Sequence, residues 1–538
     1  MLELSGTQPA SPSAGGWVNR FRQRLAAGQF AVNVELVTPR ADRPLAEALK
    51  PFHEFATAMG GDERIAAVAV TDRVKSDSDH DPVATAAWVA QRCGVQPLVH
   101  WAGKDRTPDD LERSLEALAT AGLENLLAIT GDRVERDRGD RQVEYLDAVN
   151  VVAQAKRDQA GLHVGAVVSS FKYREEELFN QYFKMAKKVR AGADFIIAQI
   201  GLDFAKHREL LEVARLRLPG VPLLAAILSP SPRTARWIRA GGAPGVSLTD
   251  DLLRLSGEEA EAPDGGRAAR RRRLALQMVG LELAGYSGVQ LTGVHTVAGA
   301  RELLDTAAEL RASLPDLPSW QEAWDAALRL HDGRVAATAP AGGFYLAEAG
   351  AVLSGPRAQV DSTAKAGFGG QAKFHFLDAI DRAIFQDRAP AAGVMRLLSV
   401  GHIPVLDRAL LRLEQTTKEP LVGCRSCGFC RLPYTQYVCP ETCPKGLANG
   451  PCGGTSNNRC EFGDRECIHN QRYRLSKALS STAELEALLV PPVPGTRGTC
   501  SWTNHFRGQD PRVIALPEHP ASRPLTPRTT ENPREGPS

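Results

Sequence analysis

Eight apolar runs of six to eight residues, rich in Val, Ile, Leu and Ala, recur between Phe30 and Val294, with longer helical patterns in the gaps. They are FAVNVEL from Phe30, IAAVAVTD from Ile65, QPLVHW from Gln96, NLLAITGD from Asn125, HVGAVVSS from His163, FIIAQIGL from Phe195, PLLAAILS from Pro222 and GVQLTGV from Gly288. Strands that are apolar along their whole length belong to parallel sheets covered on both faces. In one of the gaps, Leu178, Tyr182, Met185 and Val189 recur at three- and four-residue steps behind the acidic turn Glu175 to Glu177, which suits the positive end of a helix dipole. Eight such strands alternating with helices over about 250 residues predict an α/β fold of the (β/α)8 TIM-barrel type. A doubly wound open sheet is the alternative, but the strand count and the lack of a G-x-G-x-x-G after the first strand speak against it.

The second constraint is cysteine. Eight of the ten cysteines fall between Cys424 and Cys467, in the runs CRSCGFC, CPETCP, NGPCGG and CEFGDREC. Such spacing in a Gly- and Pro-rich stretch marks thiolates that hold a metal. The N-terminal MLELSGTQPASPSAGGWVNRF has no apolar stretch of signal-peptide type, and no apolar run is long enough to cross a bilayer, so a cytoplasmic protein is expected. A reducing compartment favours metal over disulfides. The net charge of +2 gives no electrostatic reason to expect nucleic acid or a membrane as partner.

These signals divide the chain into a flexible segment at 1–29, the barrel at 30–316, a mixed helical connector at 317–420, a small cysteine-rich metal-binding domain at 421–481 and a disordered Pro- and Arg-rich tail at 490–538 that contains Cys500. Gly257 to Arg273 reads as an exposed insertion, with Arg270 to Arg273 on a solvated helix face. AGFGG at Ala366 to Gly370 reads as a flexible turn as readily as a phosphate loop.

Chemistry in a barrel of this kind sits where strands end and loops begin. The strand ends offer Glu35, Thr71 with Asp72, His100, Asp132, Gln199, Ser229 and His295. Singly, each has a plainer use: Asp132 as a helix N-cap, His100 as a hydrogen-bonded core histidine. Together they make a polar ring around one mouth. Glu35 says most, because it interrupts VNVEL and puts a carboxyl among buried neighbours. Burial raises a carboxyl's pKa and makes it a usable general acid near neutrality; pairing with a basic side chain inside the barrel is the alternative.

In order along the chain, NVELVTP, AVTD, PLVH, ITGD and FIIAQIGLD carry an acidic residue, a threonine, a histidine, a Gly-Asp and a glutamine at strand ends one, two, three, four and six. In this the segment Phe30 to Leu304 resembles the methylenetetrahydrofolate reductase family. The string GCRSCGFCRLPYTQYVCPETCPKGLANGPCGG, within Leu421 to Ser481, is similar to the C-terminal domain fused to, or encoded beside, certain bacterial members, including the partner subunit of the acetogen enzyme.

The resemblance implies an oxidoreductase of one-carbon metabolism that reduces 5,10-methylenetetrahydrofolate to 5-methyltetrahydrofolate. Hydride would come from a reduced flavin, FAD or FMN, recharged by NAD(P)H or another donor. By position Glu35 would be the acid that opens the folate ring, and Asp132 and Gln199 would bind the pterin. Asp132 would also modulate the flavin, which Thr71, His100, Tyr145 and Lys188 would line. Two departures bear on the flavin: Thr130 stands where the family commonly has arginine, and Val168-Ser169-Ser170-Phe171 where it has Tyr-Pro-Glu and a histidine. Direct hydride transfer from nicotinamide is therefore the competing route.

Cys424, Cys427, Cys430, Cys439, Cys443, Cys452, Cys460 and Cys467 suit two four-cysteine sites. Iron-sulfur ligation is favoured because a module beside a redox site gains most from passing electrons, and zinc would meet the same count. A folate substrate and a redox partner protein are the expected partners. Rival readings are a tetrahydrofolate-dependent methyltransferase or demethylase, and a non-catalytic subunit that recruits a redox partner.

Overall fold

The computed structural model describes residues 16–73, 78–134, 143–346, 366–386, 389, 391–400, 403–463 and 465–518. Residues 1–15 of the expected flexible segment and 519–538 of the expected tail lie outside the described residues.

Eight parallel strands close into a barrel in chain order: β1 (Ala31–Leu36), β2 (Ile65–Val70), β3 (Leu98–Ala102), β4 (Asn125–Ile129), β5 (His163–Val168), β6 (Phe195–Ala198), β7 (Leu223–Ile227) and β8 (Gly288–Leu291). The ring is sealed where β1 pairs with β8, Val32 opposite Val289. Each run picked out by its apolar continuity is therefore a strand of one (β/α)8 barrel. The continuity has a simple cause. Val32, Val34 and Leu36 of β1 pack outward against the helices, while Ala31 joins an inner cluster with Leu98, Leu127, Phe195, Ile197 and Leu224. Both faces of every strand are buried, so neither face needs polar residues.

The start of the chain corrects the flexible-segment expectation. Helix Arg20–Ala26 buries Phe21 and Leu25, four residues apart and hence on one face, in the barrel floor. The Phe21 ring meets Phe195 edge-on at 5.0 Å. Asn19 accepts from the Arg22 amide as N-cap and bonds to Asn125 on β4. An apolar pair on one short helix is too brief a signal to read without knowing the hole it fills.

Two further expectations change. Arg273 is buried within helix Arg267–Ala284, not on a solvated face; it is ion-paired to Glu259, and desolvation lowers its pKa to about 10. Helix Leu317–Ala327, placed in the connector, packs on the barrel instead: Trp320 is fully buried, donates to the Leu276 carbonyl at 2.7 Å and stacks on Trp324.

The connector that remains contains helices Phe368–Ile384, Ala392–Val400 and Pro404–Val422. The last ends at Gly423 (φ 66°), where the left-handed turn leads straight into Cys424. AGFGG runs into the first turn of helix Phe368–Ile384.

The tail also departs from expectation over its described part. β9 (Leu488–Leu489) pairs antiparallel with β10 (Ile514–Ala515), and Leu489 and Leu516 close over Val149. Arg190 donates to the carbonyls of Glu486, Leu516 and Pro517. Cys500 is buried at the start of helix Ser501–Phe506, whose Ser501 amide donates to Glu414. Scattered apolar residues in a Pro-rich stretch show no period, and only the barrel surface under them makes them a core.

Among the described residues no helix is long and apolar enough to cross a membrane.

Candidate functional site

Along β1 the alternation that sends Val32, Val34 and Leu36 outward turns Asn33 and Glu35 into the barrel. Both are buried. The same rule turns in His100 beyond Leu98 on β3, Gln199 beyond Ile197 at the end of β6, and Gln290 on β8, which is in register with Asn33. His100 Nε2 lies 3.3 Å from Gln290 Oε1, a hydrogen bond that spans the interior between non-adjacent strands. Burial lowers the His100 pKa to about 4, so the ring is neutral at physiological pH and serves as a hydrogen-bonding group. Both amide atoms of Asn33 lack a hydrogen-bond partner among the described residues.

β4 ends in the turn Gly131-Asp132. Gly131 has φ +87°, and a Cβ there would stand 2.9 Å from the Lys104 side chain, so the position requires glycine. Asp132 is solvent-accessible yet surrounded closely enough that desolvation raises its pKa, a combination typical of a group on a cleft wall. Lys445 and Lys104 lower that pKa and Glu461 raises it. Asp132 does not cap a helix: the next helix, Ala148–Asp158, is capped by Asp147.

Glu35, Asp132 and Gln199 thus stand on three strand ends at one mouth. Gln199 Oε1 accepts from the Ile200 amide. Thr71 Oγ1 accepts from the Thr38 amide, tying the ends of β1 and β2. Asp72 is engaged elsewhere, paired with Arg106 and accepting from the Ala102 amide. Ser229 accepts from Arg273, and His295 is exposed beyond β8.

Thr71, His100 and Asp132 share the mouth. Lys188, however, is buried with its ammonium donating to the Val167 carbonyl, and its pKa is lowered to about 7 by desolvation. The Tyr145 hydroxyl accepts from the Val134 amide and donates to the Asp132 carbonyl. Thr130 Oγ1 accepts from the Ala148 amide. Over the β5 loop lies the cysteine-rich segment: Lys172 donates to the carbonyls of Gly453, at 2.7 Å, and Thr455. A Cβ on Gly245 would come within 2.5 Å of the Gly453 oxygen.

All ten cysteines are free thiols. Among the described residues no group of three or more His, Cys, Asp or Glu side chains has the arrangement of a formed metal site. The thiols nevertheless fall into two neighbourhoods. Cys424 and Cys430 pack against Cys439 beside Val422, Leu432 and Tyr437, and Cys439, pushed up to about 12 chiefly by burial, is acted on by Cys424, Cys427 and Cys430. Cys467, raised chiefly by burial, is acted on by Cys443, Cys452 and Cys460. The bridge Arg459–Glu466 sets Cys460 and Cys467 on adjoining strands of one small loop. Buried and half-buried thiols held together without disulfides are a donor set that suits a thiophilic cation.

Several residues of the mouth escaped the sequence reading. Asn33 and Gln290 carried a usable signal, since each interrupts an apolar run at an inward position as Glu35 does. Lys445 and Glu461 carried none, because they reach the mouth only through tertiary docking.

A closed (β/α)8 barrel with an acidic and amide-lined C-terminal mouth, capped by a cysteine-rich module, defines the class. Residues 20–234 match the methylenetetrahydrofolate reductase family, and residues 403–493 match the family described as the methylene-tetrahydrofolate reductase C terminal. The chain therefore carries, in one polypeptide, a segment similar to the methylenetetrahydrofolate reductase family and a segment similar to that family's C-terminal domain.

Among solved structures, a protein from Clostridium thermocellum described as binding two copies of 5-methyl-5,6,7,8-tetrahydrofolic acid is 11% identical, with 54% of this chain and 99% of that one covered and a TM-score of 0.40. Dihydropteroate synthase from Yersinia pestis is 15% identical (53% and 92% covered, TM-score 0.30), as is tryptophan synthase from M. tuberculosis (54% and 96%, TM-score 0.31). Likenesses at this level carry no argument about this chain.

Proposed function

We propose that the chain reduces 5,10-methylenetetrahydrofolate to 5-methyltetrahydrofolate at the barrel mouth. The observation that carries the reading is the meeting of Glu35, Asp132 and Gln199 on three strand ends of one mouth in a domain of this family. Asp132 and Gln199 hold the pterin. Asn33, with an amide unpaired among the described residues, adds a reason for a polar ligand here, since an unsatisfied buried polar group costs about 1–3 kcal/mol.

Glu35 supplies the proton. Protonation at N10 breaks the bond between N10 and the bridging carbon and leaves that carbon as an N5 iminium. A hydride added there gives the N5-methyl product, so one proton and one hydride balance the reaction. The donor proposed is a reduced nicotinamide, NADH or NADPH, which leaves as the oxidised dinucleotide. If a flavin, FAD or FMN, relays that hydride, Thr71, His100, Asp132, Tyr145 and Lys188 would line it.

Cys424, Cys427, Cys430 and Cys439 form one proposed metal site, and Cys443, Cys452, Cys460 and Cys467 the other. An iron-sulfur cluster would supply one-electron transfer there and zinc only a structural clamp; iron, sulfide and zinc analysis after anaerobic purification distinguishes them. The cytoplasm, where thiolates stay reduced, is the proposed location.

The test is Glu35→Gln. Turnover of methylenetetrahydrofolate with NADH or NADPH should fall at least ~100-fold, the usual worth of a general acid, while 5-methyltetrahydrofolate still binds. Undiminished turnover would exclude Glu35 as the acid, and methyl transfer without nicotinamide oxidation would favour the transferase reading.

A further inference from the structure

The cysteine-rich module does more than sit beside the barrel, for it sends one side chain to the turn that carries Asp132. Lys445 Nζ donates to the Gly131 carbonyl at 2.7 Å, across 314 residues of sequence. The Tyr145 hydroxyl donates to the Asp132 carbonyl at 3.3 Å. Consecutive carbonyls of the turn are thus held by two different parts of the protein. The Lys445 ammonium also lies 5.2 Å from the centre of the Tyr145 ring, so the two holding groups pack on one another.

Lys445 is buried and its charge is answered by Glu461 at 2.5 Å. The two act on Asp132 with opposite signs, so their electrostatic effects there oppose one another. What the ammonium gives the turn is chiefly geometry: a strong donor that fixes the peptide plane ahead of the Asp132 carboxyl. The other oxygen of Glu461 lies 3.4 Å from Cys452 Sγ, which connects the same pair to the second group of thiols.

We propose that Lys445 is a positioning residue of the folate site, through which the C-terminal module sets the orientation of Asp132 toward the pterin. This rests on the folate reading above. It makes the module a part of the site and not only a carrier of metal. A lysine that merely glued the module down would behave like Lys477, which pairs with Glu175 on the docking face.

The experiment measures 5-methyltetrahydrofolate binding by calorimetry on the full-length, metal-replete chain, with metal content and thermal midpoint recorded for every variant. Lys445→Met should weaken binding about tenfold, the scale of one lost charge-assisted hydrogen bond. Asp132→Asn should weaken it at least as much. The double variant should be no more than about twofold weaker than Asp132→Asn alone, because Lys445 acts through Asp132. Lys477→Met should lower the thermal midpoint and leave affinity within about twofold.

If Lys445→Met strands Glu461 and fails to fold, Lys445→Met/Glu461→Gln removes both buried charges and carries the same expectation, and Lys445→Arg should restore affinity. Unchanged affinity in the Lys445 variants, multiplicative loss in the double variant, or an equal loss in Lys477→Met would overturn the proposal and leave the folate reading standing. A wild-type chain that does not bind the folate would overturn both.

Discussion

At the scale of single residues, burial decides which groups can carry charge. His100 and His207 are both buried and both lowered to about 4 by desolvation; His207 is held between the Tyr286 hydroxyl and the Gly201 carbonyl. An unfolded histidine titrates near 6.5, so between about 6.5 and 4 the unfolded chain binds the proton first and stability falls as pH falls. Above that window the contribution is fully present, and each site loses at most ~3 kcal/mol across it. The thermal midpoint should therefore drop from pH 7 to pH 5, and His207→Gln, although less stable at pH 7, should show a smaller drop. Equal drops would mean that His207 is charged in the folded protein.

Residue by residue, the site was legible where a polar group breaks an apolar strand. Glu35 and His100 stood out that way, whereas Lys188 came only with the family resemblance; its ammonium donates to the Val167 carbonyl.

Among the elements, helix Glu175–Arg190 shows best what periodicity leaves out. Its apolar step predicted a helix with one buried face, and its acidic first turn fitted the dipole. In the folded chain 14 of its 16 residues are buried, because helix Ile468–Ala478 of the cysteine-rich module covers the other side. Glu175 accepts from Tyr473 at 2.7 Å and pairs with Lys477 at 2.5 Å, Glu176 pairs with Arg474, and Glu177 accepts from the Asn458 amide. Phe179 stacks on Tyr473 at 5.5 Å. The acidic turn is thus a docking site as well as a helix start.

Removing one partner of a buried ion pair costs about 3–5 kcal/mol. Glu175→Ala should therefore loosen the module from the barrel, read as faster limited proteolysis between the barrel and residue 421 with the barrel's own far-ultraviolet spectrum kept. Proteolysis at the wild-type rate would show that the pair contributes little to docking.

For the molecule as a whole, the two halves are mutually dependent. The cysteine-rich module has short 3-10 turns and loops with left-handed residues at Ser426, Gln436, Tyr437, Asn457 and Asn458, and it relies on the barrel, and on the proposed metal, for what its small core cannot supply. Stripping metal with a strong chelator should lower the thermal midpoint of the module and, through the loops over β4 and β5, weaken folate binding at the barrel mouth. Full folate affinity after complete metal removal would show that the thiol groups and the mouth are uncoupled.

The barrel itself was written in local pattern: eight continuous apolar runs need cover on both sides, and a closed ring of strands flanked by helices is the arrangement that gives it. The same locality made the cysteine module visible, since cysteine spacing is a short-range property. What only the tertiary structure decided was the meeting of the two. Phe21 in the barrel floor, the apolar residues of 488–516 over Val149, and Lys445 on the Gly131 carbonyl join positions far apart in sequence, and no periodicity records such pairs because each half is an unremarkable side chain until the other is folded against it.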